Sequence, residues 1–122
     1  PIQRIARRLK ETFPSLPLIL FSKGAGEKLS LYTKNNLFSA VSLDFSTSLQ
    51  WAVQKIPDRV ILQGNLDPSL LVVGGQPLQE SIREIQKEMG ERPYIFNLGH
   101  GVLPQTPLKN ISDCIKWVRH EQ

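Results

Sequence analysis

The sequence predicts an α/β fold of four parallel strand-helix units preceded by a helix, and three observations lead there. Short apolar runs recur at residues 18–21, 40–45, 60–63 and 94–96. Between them, apolar residues return every three or four positions, the spacing of a helix that buries one face. The runs stand about 20 to 35 residues apart, the room that a right-handed crossover through a helix needs. Because the strand positions are apolar in succession, the sheet is expected to be covered on both faces.

The elements follow in order. Ile2, Ile5, Leu9 and Phe13, with Arg and Lys between them, describe an amphipathic helix that Pro14 ends. A turn at 14–17 leads into the first strand, then Ser22-Lys23-Gly24-Ala25-Gly26, then a helix through Leu29, Leu31 and Tyr32 to about residue 36. The second strand carries Asp44 near its end. Ser46 or Thr47 can cap the next helix, whose inner stripe is Leu49, Ala52, Val53 and Ile56 and which Pro57 stops. After the third strand, Asp67 reads as a cap and Pro68 as the first residue of a short helix. A Gly74-Gly75 break separates this from a longer helix marked by Leu78, Ile82, Ile85 and Met89 and closed by Gly90.

The fourth unit organises the rest. Pro93 excludes a helix centre and Tyr94-Ile95-Phe96 favour extended backbone. The run ends in Gly99-His100-Gly101, where two glycines allow positive φ and a sharp turn, leaving the His100 imidazole at the carboxyl end of a strand. In parallel α/β folds ligands bind at that end. A last helix starts at Thr106-Pro107, with Leu108, Ile111, Ile115 and Val118 on one side and Trp117 at its edge.

Composition narrows the class. At 122 residues, 40% hydrophobic and 21% charged, the chain fits a single folded segment, 1–122, rather than a disordered one. A net charge of +4 is mild, and although Arg4, Arg7, Arg8 and Lys10 crowd one helix, no aromatic residues alternate with them to stack on bases, so no nucleic-acid partner is expected. Cys114 is the only cysteine, which excludes an intrachain disulfide and a cysteine-based zinc cluster; it reads as a small packing residue. No apolar run approaches the roughly 20 residues of a membrane span, and no signal-peptide layout opens the chain, so a cytoplasmic setting without membrane is the expectation. A start at Pro1 fits either a trimmed initiator methionine or a piece of a longer protein. Four units are half of an eight-stranded barrel, which takes about 250 residues. An open sheet, an excised half-barrel and a half completed by another chain all stay open on these grounds.

Four stretches resemble, in order and spacing, the C-terminal part of uroporphyrinogen decarboxylases. They are Leu20-Phe21-Ser22-Lys23-Gly24-Ala25-Gly26, Ser42-Leu43-Asp44-Phe45, Leu62-Gln63-Gly64-Asn65-Leu66-Asp67-Pro68, and Phe96-Asn97-Leu98-Gly99-His100-Gly101-Val102-Leu103-Pro104. Where that family has Gly-Leu-Asp-Trp, this chain has Ser42 and Phe45 in place of the Gly and Trp. The resemblance implies the C-terminal half of a TIM (β/α)8 barrel, commonly a homodimer. It implies a carboxy-lyase that removes the four acetate carboxyl groups of uroporphyrinogen III to give coproporphyrinogen III in haem biosynthesis, with no metal or organic cofactor. The acid, arginines and tyrosine of that chemistry belong to motifs of the N-terminal half, so this segment alone is expected to be inactive.

Within the segment, the resemblance makes His100 the substrate-binding residue, hydrogen-bonding or steering a carboxylate or pyrrole edge; histidine as a residue type can also deliver a proton near neutrality. Lys23, Asp44 and Asn65 are secondary candidates for lining the pocket. Each has a competing structural duty: exposure for Lys23, anchoring a helix start for Asp44, and turn formation for Asn65, as capping is for Asp67. Gly24-Ala25-Gly26 has neither the Walker nor the dinucleotide spacing. His120 reads as a complement to a helix dipole. Two alternatives remain. One is a zinc-dependent cobalamin-linked methyltransferase of the same superfamily, against which stands the lack of a cysteine in the His100 loop. The other is a non-catalytic half-barrel whose open edges recruit a partner.

Overall fold

The computed structural model describes residues 1–120. Four parallel strands, β1 (Ile19–Phe21), β2 (Ala40–Ser42), β3 (Ile61–Leu66) and β4 (Tyr94–Leu98), form one sheet in the order β1-β2-β3-β4. Strand order without reversal is the winding of a barrel rather than of a doubly wound sheet. The chain builds half of such a barrel.

Helix α1 (Ile2–Thr12) precedes the sheet and ends at Phe13, ahead of Pro14. A 3-10 turn (Gly26–Lys28) and the single-turn α2 (Leu29–Tyr32) link β1 to β2, shorter than the helix to residue 36 that the pattern predicts. β2 likewise stops at Ser42 rather than reaching residue 45. The Leu43 N–H still donates to Gln63 O at 2.7 Å, and beyond it the chain turns into the rim, where the Asp44 carboxylate accepts from the Gly24 N–H. The second connection, from β2 to β3, is α3 (Leu49–Lys55); after β3 come α4 (Pro68–Val73) and α5 (Gly75–Met89), and after β4 comes α6 (Leu108–Val118).

The core lies on one face of the sheet only. Leu20, Val41 and Leu62 point into it and meet Ala52, Leu78 and Ile82 from the helices. Side chains alternate along a strand, and in-register neighbours share a face, so Phe21, Ser42, Gln63 and Ile95 form one row on the other side. That side is open except at β2: Ile19, Phe21 and Ile95 are 51%, 44% and 40% exposed, while Ala40 and Ser42 between them are buried. The expectation of a sheet covered on both faces is therefore corrected. Successive apolar residues are needed here because one set packs on helices while the other belongs to the interior of a barrel, and four strands do not enclose that interior.

Two helix details also depart from the pattern. The cap of α3 is Ser48, whose hydroxyl accepts from the Trp51 N–H at 3.2 Å, because the Ser46 and Thr47 hydroxyls are committed to Asp44. In α6 the residue turned fully inward is Cys114, 7% exposed, with Ile111, Trp117 and Val118 packed against the core; Leu108, at 84% exposure, lies outside the stripe. The Asp67 cap is as the sequence predicts, its carboxylate accepting from Ser69 N–H at 2.8 Å.

Candidate functional site at the carboxyl rim

All four strands run the same way, so the loops after Phe21, Ser42, Leu66 and Leu98 gather at one rim. His100 stands there, two residues beyond β4, and its ring is exposed. The loop that carries it is held by the Gly99 N–H, which donates to Leu66 O at 2.8 Å. Gly99 does not take positive φ, nor does Gly101, contrary to the sequence expectation. Gly99 is needed for another reason: a Cβ there would stand 2.2 Å from the Phe45 backbone nitrogen. The β4 loop and the β2 loop touch backbone to backbone, and no side chain fits between them.

Gly64 does comparable work one strand away. It has φ +116°, and a Cβ would lie 2.5 Å from Leu43 O, so a side chain is excluded both by conformation and by space. This close approach lets Asn65 reach over β2, where its amide donates to Asp44 O at 3.2 Å and Thr47 O at 2.7 Å.

Asp44 is the node of the rim. It is 3% exposed, and its carboxylate accepts from the Gly24 N–H at 2.5 Å, the Thr47 hydroxyl at 2.7 Å and the Ser46 hydroxyl at 3.0 Å. Burial acts to raise this carboxyl; the hydrogen bonds from Thr47, Gly24 and Ser46 together outweigh it and hold the group below its ordinary value of 3.8. Asp44 is thus an anchored anion that fixes the β1 and β2 loops to each other, with its oxygens occupied by protein donors.

Two hollows meet at His100. The inner one, about 290 Å³, lies on the uncovered sheet face and is lined by Phe21, Ser42, Gln63, Asn97 and His100. Phe21 meets the His100 ring edge-to-face, centroids 6.3 Å apart. Gln63 donates to the Ser42 hydroxyl at 3.1 Å, so this floor offers an amide and a hydroxyl already linked to each other. The outer hollow, about 390 Å³, sits on the rim between Lys23, Phe45, Asp67, Ser69, His100 and Leu103.

Of the four residues singled out from sequence, His100 lines both hollows and Lys23 lines the outer one, whereas Asp44 and Asn65 line neither and serve the loop network. Phe21, Ser42, Gln63 and Asn97 were not singled out as pocket residues. They become visible only once strand register is known, because three of them share a row with strands 20 residues or more away in sequence. Cys114 packs in the helical layer, where burial pushes its thiol up. Among the described residues no cluster of three or more His, Cys, Asp or Glu side chains has the arrangement of a metal site. None of the described helices is long and apolar enough to cross a membrane.

Comparison with known proteins agrees with the motifs. The family described as uroporphyrinogen decarboxylase (URO-D) matches residues 1–121. Curated relatives named uroporphyrinogen decarboxylase include those of Novosphingobium aromaticivorans, 40% identical, and Sphingopyxis alaskensis, 44% identical, each over 98% of this chain and 35% of the relative. That of Rhodospirillum rubrum is 41% identical over 98% of this chain and 34% of its own length. The chain thus spans about a third of the length of the curated relatives it matches. Among solved structures, a methyltransferase from Methanosarcina mazei superposes with a TM-score of 0.73 at 19% identity, over 98% of this chain and 36% of that protein, a likeness of fold.

Proposed function

The chain belongs to the uroporphyrinogen decarboxylase family, and from that premise we propose that it supplies the C-terminal half of a barrel that decarboxylates uroporphyrinogen III to coproporphyrinogen III. The observation that carries this reading is the His100 imidazole at the carboxyl rim, bordering a cavity on the face that a barrel turns inward.

The chemistry defines what each half must bring. When an acetate arm loses carbon dioxide, the bond between its methylene carbon and its carboxyl carbon breaks, and the electron pair left behind is prohibitive in water. A pyrrole protonated beforehand accepts that pair; protonation of the methylene and loss of the ring proton then leave a methyl group. The site needs an anion to stabilise the cationic ring, cations for the carboxylates and a proton donor. This segment supplies the floor and one wall. Phe21 and Ile95 offer an apolar surface to the macrocycle, and His100 orients a carboxylate or a pyrrole edge. The ring-stabilising acid, arginines and tyrosine come from the upstream half, so the 122 residues alone do not turn over. The complete enzyme works without metal or organic cofactor, in the cytoplasm, as a homodimer.

A barrel completed by joining this chain to the upstream portion of the Novosphingobium aromaticivorans relative tests the reading. Once circular dichroism shows it folded, it converts uroporphyrinogen III to coproporphyrinogen III, and His100→Asn slows that conversion roughly 10- to 100-fold. A folded barrel with no turnover, or a His100→Asn variant with unaltered rate and unaltered intermediates, overturns it.

A further inference from the structure

The outer hollow contains one lysine, and its surroundings give that lysine a task. Among the described residues Lys23 takes part in neither ion pair. The acid in the same hollow, Asp67, is turned to the Ser69 N–H at 2.8 Å, where it starts α4. Lys23 thus brings to this hollow an ammonium with no ion-pair partner among the described residues, beside an Asp67 carboxylate committed to the start of α4.

Its backbone is not free to wander. The next residue, Gly24, donates its N–H to the buried Asp44 carboxylate at 2.5 Å, and Ala25 N–H closes the turn on Ser22 O at 3.3 Å. Lys23 is presented at the rim from a tied loop, with its side chain exposed. Phe45 and Leu103 flank the hollow with apolar surface that suits the methylenes of an acid arm.

His100 lines both hollows, so a substrate ring seated beside it in the inner cavity also borders the rim. A pyrrole of the substrate carries an acetate and a propionate on adjacent carbons. When the acetate lies at His100, the longer neighbouring arm extends outward, toward Lys23. We propose that Lys23 binds a propionate carboxylate, one of those that the reaction retains, and so grips the substrate and every partly decarboxylated intermediate alike. This assignment rests on the decarboxylase reading for its substrate class.

Coproporphyrinogen III has lost all four acetates and keeps only propionates, which separates the two kinds of arm. In the completed barrel, kept under reducing conditions, calorimetry is expected to show Lys23→Met binding coproporphyrinogen III about fivefold more weakly, the worth of a partly exposed ion pair. Lys23→Arg restores the affinity, and the deficit of the Met variant shrinks as salt is raised. The KM for uroporphyrinogen III rises by a similar factor. Unchanged affinity for coproporphyrinogen III in Lys23→Met overturns the assignment, and so does an effect confined to uroporphyrinogen III, which would put Lys23 on an acetate. A barrel that decarboxylates while binding coproporphyrinogen III independently of Lys23 refutes this assignment alone. One that binds it through Lys23 without decarboxylating refutes the reaction and leaves the propionate contact standing.

Discussion

Phe21 and His100 belong to opposite ends of the sheet order, yet their rings meet edge-to-face with planes at 71° and centroids 6.3 Å apart. A residue at the end of β1 thus steadies a residue beyond β4, across the mouth of the inner cavity. Such pairs contribute about 0.5–1.5 kcal/mol beyond the area they bury. Phe21→Ala in the completed barrel is expected to cost less than about 1.5 kcal/mol of stability, since the ring is 44% exposed, while slowing decarboxylation severalfold because His100 loses its wall. Chemical denaturation and product analysis on the same preparation check this, and Phe21→Tyr, which keeps the ring edge, restores the rate.

Gly99→Ala is the sterically sharper change. The added methyl would stand 2.2 Å from Phe45 N and 2.7 Å from its Cα, both backbone atoms with no rotamer to yield. The β4 loop must move, at a cost of roughly 3 kcal/mol. The expected outcome is a barrel with lowered melting temperature and strongly reduced turnover, measured by thermal unfolding and activity; a wild-type melting temperature would show that the loops can part.

Asp44 makes stability depend on acid. Its carboxyl is lowered in the fold, so the unfolded chain takes up a proton at higher pH than the folded one does. The contribution is complete above the ordinary value of 3.8 and is lost as pH falls through the lowered folded value. Urea titrations between about pH 3 and pH 7 are expected to show the wild type losing stability toward acid more steeply than Asp44→Asn, the two curves converging at the acid end. Parallel curves would mean that Asp44 carries no such linkage.

At the opposite end of the strands, Arg92 closes the turn between α3 and β3. Its guanidinium donates to Val53 O at 3.2 Å, Pro57 O at 2.9 Å and Val60 O at 3.0 Å, and pairs with Asp58 at 3.0 Å. The Arg92 side chain is 6% exposed, the Asp58 side chain 92%. Desolvation lowers the guanidinium, and Asp58 only partly opposes that. Removing Arg92 takes the donor from Val53 O and Val60 O, while Pro57 O keeps the Val60 N–H at 2.9 Å, so Arg92→Ala is expected to cost about 2 kcal/mol, whereas Asp58→Ala costs under about 1 kcal/mol. Denaturant midpoints of the two variants separate these cases, and equal losses would make the ion pair, not the carbonyl clamp, the source of stability.

The parts of the fold legible in sequence are those fixed by a single residue's covalent nature: Pro14 after α1, the Asp67-Pro68 start of α4, Gly90 at the end of α5. His100 at a strand's carboxyl end was legible because strand and breaker adjoin in sequence. Choices among chemical equals were not. Ser46, Thr47 and Ser48 are interchangeable caps until Asp44 claims two of them. The inward residue of α6 is small Cys114, which carries less hydrophobic signal than the exposed Leu108. Gly99 looked like a turn residue because sequence does not reveal that Phe45 will lie against it. Cavity residues such as Gln63 and Asn97 were hidden among strand polar positions until register aligned them.

The ties running from Gly24 to Asp44, from Asn65 to Asp44 and Thr47, and from Gly99 to Leu66 join the rim segments into one mechanical unit. Substitutions among these residues are therefore epistatic. A change at position 44 resets the background against which changes at 24 and 65 are felt.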